Sequence, residues 1–423
     1  LAESADAPPR RTPFIDIGNA AMGLARRVGL AQGAVLTREA LLEQASASAG
    51  LSDFGDRWFE RPLEALLDAL SGEARLNPMG EWAAGAQIHK VLTDRLWAER
   101  WFAQHPEILA RPLPRPVIVM GPMRSGTTRV HRLLAADHRF THLRSFETIS
   151  PVPRPDFAFG ARDFRVTLAS RVMRVARLAN PRTLTIHPTG PLEAEEELGL
   201  LVNSFWGMKH EAQWWVPSYG RWCESEDARP AYEQMARLLK LVGWSQQASS
   251  LRPWVLKTPQ HMLHLPALLA VFPDARLIFT HRDPQAVVGS AASLAWNQTI
   301  IYSDHADPRA IGEEWLRKCR LLVERMMQAR ADIPASRVID VQYDEMERDW
   351  RGTMARVYRL LGLDLAPALP AMEAYQRRTA TSRRRLHRYS LPQFGLTSDR
   401  VLDEMGAYVS RFGIAREPKA LFG

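Results

Sequence analysis

Cysteine is nearly absent: Cys223 and Cys319 are the only two in 423 residues. Two thiols cannot build a disulfide framework, and neither belongs to a Cys/His cluster with metal-ligand spacing. Reduced thiols in a cytoplasmic protein are therefore expected. No apolar run approaches the roughly 20 residues that a membrane-crossing helix needs, so no membrane span is expected. The first residues, LAESADAPPRRTPF, lack the apolar stretch of a secretory signal and read as a mobile leader. Zinc-finger spacing and RNA-binding signatures are missing too, and most basic residues are scattered, so nucleic acid is not an expected partner. Internal repeats and low-complexity tracts are lacking.

What is present is ordinary globular material, 46% hydrophobic and 24% charged, long enough for one large domain or two average ones. The net charge of +8 suits an anionic ligand. From about residue 37 to 104 the apolar residues recur at helical spacing, with Gly50 placed to end the first of these helices. Residues 1–107 thus read as a leader and helical extension, and 108–423 as one domain of another kind. There, five short apolar runs alternate with helical stretches: Val117–Met120, then 141–145, 253–258, 276–281 and 337–343. That alternation predicts an α/β fold with a central, mostly parallel sheet of about five strands flanked by helices.

Two strand–helix junctions carry chemistry. After Met120 comes Gly-Pro-Met-Arg-Ser-Gly-Thr-Thr, residues 121–128. A glycine loop between strand and helix makes an anion cradle from converging N–H groups and the positive end of the helix. The spacing imitates a nucleoside-triphosphate loop, but Thr127 stands where that motif has its lysine, and the cation is Arg124. At the second junction a strand ends at His281, and Asp283-Pro284 can open a helix as N-cap and first residue. Arg282 sits at the strand end and Ser290 lies eight residues on, so guanidinium and hydroxyl can converge on one phosphate.

Met-Arg-Ser-Gly-Thr-Thr after a short apolar strand resembles the 5′-phosphosulfate loop of sulfotransferases that use 3′-phosphoadenosine 5′-phosphosulfate (PAPS). Arg282 with Ser290 resembles their 3′-phosphate motif. The likeness is greatest to the bacterial branch with Arg-Ser-Gly-Thr-Thr and a Leu-Lys-Ser/Thr-Pro-x-His element, here Leu256–His261. It implies a P-loop-like sulfotransferase fold, PAPS as donor, adenosine 3′,5′-bisphosphate (PAP) as product, and no metal. It assigns the 5′-phosphosulfate to Arg124, Ser125, Gly126, Thr127 and Thr128, and the 3′-phosphate to Arg282 and Ser290. Arg388, with Arg383, Arg384 and Arg385, falls where the superfamily closes a basic segment over that phosphate.

Sulfuryl transfer resembles phosphoryl transfer: an acceptor oxygen attacks in line while charge builds on the bridging oxygen of the leaving nucleotide. Cations must stand near that bridge and a base must take the acceptor's proton. Arg124 and Lys257 are the candidate cations. In the cytosolic branch the catalytic histidine follows two residues after the lysine, and here Pro259 occupies that place. The base is then His187, Glu196 or Glu195, or His261, in that order. His187 precedes Glu195-Glu196-Glu197, which reads as an acidic helix start. An aromatic cluster (Phe205, Trp206, Trp214, Trp215, Tyr219, Trp222) is either core or an apolar pocket for an aromatic, steroid-like or lipid alcohol. The partner expected is a small-molecule hydroxyl acceptor, and a homo-oligomer stays open. The rival readings are a P-loop kinase using ATP, a non-catalytic nucleotide-binding module, and sulfation followed by elimination.

Overall fold

A computed structural model describes residues 8–30, 33–182, 189–383 and 389–417. Its centre is a five-stranded sheet: β1 (Val117–Met120), β2 (Thr141–His142), β3 (Trp254–Lys257), β4 (Arg276–His281) and β5 (Val338–Gln342). The strand order is β2-β3-β1-β4-β5, and every pair is parallel. β1 is wholly apolar because it is covered on both faces. Successive side chains alternate: Ile118 and Met120 enter one core, and Val117 and Val119 the other. β2 is shorter than the sequence run because Arg144 leaves the ladder. Its N–H goes to Glu147 Oε2 at 2.8 Å, and the residue forms an antiparallel bridge with Ala194.

Four long helices precede the sheet, α1 (Pro13–Arg27), α2 (Arg38–Ala49), α3 (Glu60–Gly72) and α4 (Pro78–Gln104), with a single helical turn, Glu107–Ala110, between α4 and β1. Gly50 ends α2 in the left-handed region at φ 64°, as its position predicts. α3 buries Leu63, Leu66, Leu67 and Leu70, the stripe a 3.6-residue period produces. Leu63, Leu66, Ile88 and Leu92 share one continuous core with Leu256, Leu277 and Phe279 of the sheet. The helices before β1 therefore build the sheet's own core, and the apolar packing runs across the boundary drawn at residue 107.

The leader is a correction. From residue 8 it is tied to the body: Trp296 Nε1 donates to the Pro9 carbonyl at 2.7 Å, and Arg11 Nη1 to the Ile300 carbonyl at 3.2 Å. Helix α1 starts at Pro13. Among the described residues no helix is long and apolar enough to cross a membrane. Both cysteines are free and buried.

Candidate active site

In an open parallel sheet, ligands collect beyond the carboxyl ends of the strands. Register puts Val119 beside both Lys257 and Ile278, so the segments leaving β1, β3 and β4 emerge together. The loop after β1 is packed too tightly for a side chain at Gly121. A Cβ there would meet Thr280 Oγ1 at 2.2 Å and the Thr280 carbonyl oxygen at 2.5 Å. Ser125 laces the turn: its N–H and its hydroxyl both donate to the Pro122 carbonyl, at 3.1 and 2.6 Å, and its Oγ lies 2.5 Å from Thr280 Oγ1. Its hydroxyl is thus directed into the loop, while the sequence expectation had it facing the ligand. Arg124 at φ 67° and Gly126 at φ 92° are left-handed, and the second caps the helix Thr127–Ala135. The first amides of that helix have no intrahelical acceptor and face the loop's concavity.

Lys257 ends β3, almost wholly buried, and joins the loop to an acidic segment. Its Nζ donates to Thr128 Oγ1 at 3.3 Å and pairs with Glu196. Its backbone N–H donates to Glu197 Oε2 at 2.8 Å. The expected acidic helix start is corrected: the helix begins at Leu198, and the three glutamates lie before it. They are drawn into separate duties by their neighbours. Glu195 Oε2 accepts from the Thr189 hydroxyl at 2.9 Å and faces Arg132 at 3.9 Å. Glu197 shares a 2.5 Å hydrogen bond with His261 Nε2, and the Tyr232 hydroxyl lies 2.9 Å from His261 Nδ1. This Glu197–His261–Tyr232 chain is sealed in the core. His261, with both ring nitrogens engaged and no exposed surface, holds the β3 end in place and cannot reach an acceptor in this arrangement.

Arg282 leaves β4 and lies against the loop. Its Nη1 donates to the Arg124 carbonyl at 2.9 Å, and its guanidinium stacks 3.9 Å from the centre of the Tyr343 ring. Its remaining donors grip Glu417, at 2.5 and 2.8 Å, as a bidentate pair. Burial alone would make charging harder, yet that pairing raises the Arg282 pKa above its ordinary value. Asp283 caps the helix Pro284–Tyr302 as its sequence position predicts, accepting from the Gln285 N–H at 2.9 Å. On that helix Ser290 is buried, and among the described residues its Oγ has no partner in full hydrogen-bond geometry; the Tyr389 phenol, which donates to the Ala286 carbonyl at 2.9 Å, is its nearest polar neighbour. Crowding by the surrounding protein and the like charge of Arg282 lower the Arg124 pKa, although the residue keeps contact with solvent. Arg124, Arg282 and Ser290 thus come together around the Tyr389 phenol.

The aromatic cluster is mostly core. Trp206, Trp214 and Tyr219 are fully buried: Trp206 packs on Trp58 and Trp222, Trp214 stacks on His210, and the Tyr219 hydroxyl donates to the Phe205 carbonyl at 2.6 Å. Trp215 is half-buried against the same core. The pocket expected there is therefore not lined by these three rings. His187, Arg384, Arg385 and Arg388 lie outside the described residues, as does the side chain of Arg383. Sequence reasoning missed Tyr343, Tyr389 and Glu417. Tyr343 follows β5 directly, a strand end at the same sheet edge as the loop, which is the one signal that could have found it.

Comparisons with known proteins agree with this geometry. The sequence profile of the sulfotransferase family matches residues 116–367. The chain is 31% identical to sulfotransferase STF1 from Mycobacterium tuberculosis, with 89% of this chain and 100% of that one covered at a TM-score of 0.78. STF9 from Mycobacterium avium is 27% identical, covering 90% and 98% of the two chains at 0.81. The omega-hydroxy-beta-dihydromenaquinone-9 sulfotransferase Stf3 of Mycobacterium bovis is 22% identical over 330 residues, 76% of this chain and 80% of that protein. With the loop, the lysine and the second arginine gathered at three neighbouring strand ends, the chain belongs to the sulfotransferase family.

Proposed function

We propose that this protein moves the sulfuryl group of PAPS to a hydroxyl of a small, apolar or aromatic acceptor, with Glu196 taking the acceptor's proton. The observation that carries the reading is the contact between the two cationic junctions, Arg282 Nη1 on the Arg124 carbonyl at 2.9 Å. It supports a reading in which the 5′ cradle and the 3′ seat belong to one site that a single bisphosphorylated adenosine would span. The residues present fit such a donor. The Arg282 fork already holds a carboxylate in the bidentate manner it would hold a phosphate. The buried Ser290 Oγ, with no partner in full hydrogen-bond geometry among the described residues, could donate to a phosphate oxygen beside Arg282.

Arg124 and the amides of Gly126, Thr127 and Thr128 would neutralise the 5′-phosphosulfate. Lys257, fixed beside Thr128, would stabilise charge on the bridging oxygen as the bond from that oxygen to sulfur breaks. Glu196 is partly exposed and already at the Lys257 ammonium, so an acceptor reaching it stands next to the reacting sulfur. The acceptor oxygen bonds to sulfur, its proton passes to Glu196, and PAP leaves. Stf3 is named for a hydroxylated menaquinone, an apolar alcohol, and that class is what we extend to this chain.

Transfer of labelled sulfate from PAPS into a panel of alcohols tests the reading. Glu196→Gln should lower kcat by about 10²–10⁴-fold with PAP affinity kept. If instead His187→Ala gives that loss while Glu196→Gln turns over normally, the base is His187.

A further inference from the structure

The helix Phe164–Ala179 is built inside out. Its sequence, FRVTLASRVMRVARLA, contains four arginines and no acidic residue. Only Arg165 and Ala169 are buried, and Arg165 is satisfied there by Asp163 and by the carbonyls of Ser150 and Pro151. A helix on a globular surface normally turns its apolar stripe inward. Here Val172, Val175 and Leu178 are 44, 58 and 60% exposed, and Phe164, on the same side by the helical period, is 38% exposed. Arg171, Arg174 and Arg177 follow at intervals of three along the flank of that ridge, all exposed. Among the described residues none of the three has an ion-pair partner. The Thr12 hydroxyl donates to the Ala179 carbonyl at 2.6 Å, which brings up the start of α1, where Phe14 and Ile17 are also exposed.

We propose that this face docks on an anionic lipid surface. An apolar ridge flanked by unpaired arginines matches a bilayer interface, where side chains such as Val, Leu and Phe enter the acyl boundary and guanidinium groups meet phosphates. A second copy of the chain fits worse, because a twofold pairing through this ridge sets one arginine stripe against its like. The docking helix is tied to the site. Asn180, just past its end, donates from Nδ2 to the Asn297 carbonyl on the helix that carries Ser290, at 2.8 Å. The inference rests on the apolar-alcohol reading above: an enzyme seated on the bilayer meets an acceptor dissolved in it.

Sedimentation with phosphatidylcholine vesicles, with and without phosphatidylglycerol, tests it. The protein should partition onto the anionic vesicles and lose about tenfold or more of that binding in Arg174→Glu/Arg177→Glu. Val175→Asp/Leu178→Asp should lose it too. Each change is on the surface, so thermal midpoint, PAP affinity and sulfation of a water-soluble alcohol should stay as they are. The proposal is overturned if the intact protein ignores anionic vesicles at low salt, if the variants bind equally well, or if they convert a dimer to a monomer. Failure of the sulfotransferase reading would look different, as loss of PAP binding in the unaltered protein.

Discussion

Replacing Glu417 by glutamine should tighten the binding of PAP by about tenfold. The carboxylate sits on Arg282 because the chain end is aimed there. The helix Gly406–Phe412 stacks Phe412 on His281 at 4.0 Å and ends at Gly413 with φ 60°. Ile414 is then buried, and its N–H closes on the Val409 carbonyl at 3.1 Å. Three residues later the Glu417 N–H donates to Asp283 Oδ2 at 2.8 Å and its carboxylate takes the Arg282 fork. A 3′-phosphate needs the same donors, so it must first break this pair. A well-placed, largely buried charge pair can couple by more than 1.5 kcal/mol, and residual solvent contact at this one argues for about 1–2 kcal/mol. Glutamine keeps the shape and removes the charge. Calorimetric titration at fixed salt reads the change, with ADP, which lacks a 3′-phosphate, as the control that should not move. An unchanged or weaker PAP affinity in Glu417→Gln would mean that carboxylate and phosphate do not share a seat.

Other perturbations probe different parts of the account. Gly121→Ala forces a Cβ against the Thr280 backbone and should cost about 1–3 kcal/mol in chemical denaturation; an unchanged midpoint contradicts the tight loop. Lys257→Met should lower kcat by about 10²–10³-fold while changing the PAP dissociation constant much less, and equal losses in both would make Lys257 a binding residue only. Asp340 is partly exposed; burial alone would raise its pKa, but bonds from His281 at 2.8 Å and Arg330 at 2.5 Å hold it down at about 2. A depressed carboxylate stabilises the fold above its unfolded value and loses that contribution as pH falls through the folded one. Between about pH 4 and 2 the protein should therefore lose stability that Asp340→Asn does not, and parallel pH curves for the two would contradict the pairing.

The sheet was legible because its strands are short, apolar and separated by helices; all five stand where the runs predicted them. Gly50 and Asp283 were legible because caps are local chemistry. Helix α1 was not: it buries only Ile15 and Asn19 and is held by distant partners such as Asn77–Gly80, where the Met79 N–H donates to Asn19 Oδ1 at 3.0 Å. The placement of Arg124, Lys257 and Arg282 at strand ends was legible, since each follows or closes a short apolar run. What engages them was not. Tyr343 and Glu417 meet Arg282 only through the crossing of β5 and the return of the chain end. The role of the tryptophans stayed open in the sequence because an aromatic cluster has the same composition whether it lines a cavity or fills one.

Bridging of the loop after β1 and the arginine after β4 by one nucleotide is what the proposed function requires. Its most direct test is the dissociation constant of PAP against that of ADP, in the unaltered protein and in Arg282→Met. A bridging nucleotide should give a strong preference for PAP that Arg282→Met erases, a loss on the order of a hundredfold in PAP affinity with ADP little changed. Equal affinity for the two nucleotides in the unaltered protein, or a preference that survives Arg282→Met, would contradict it.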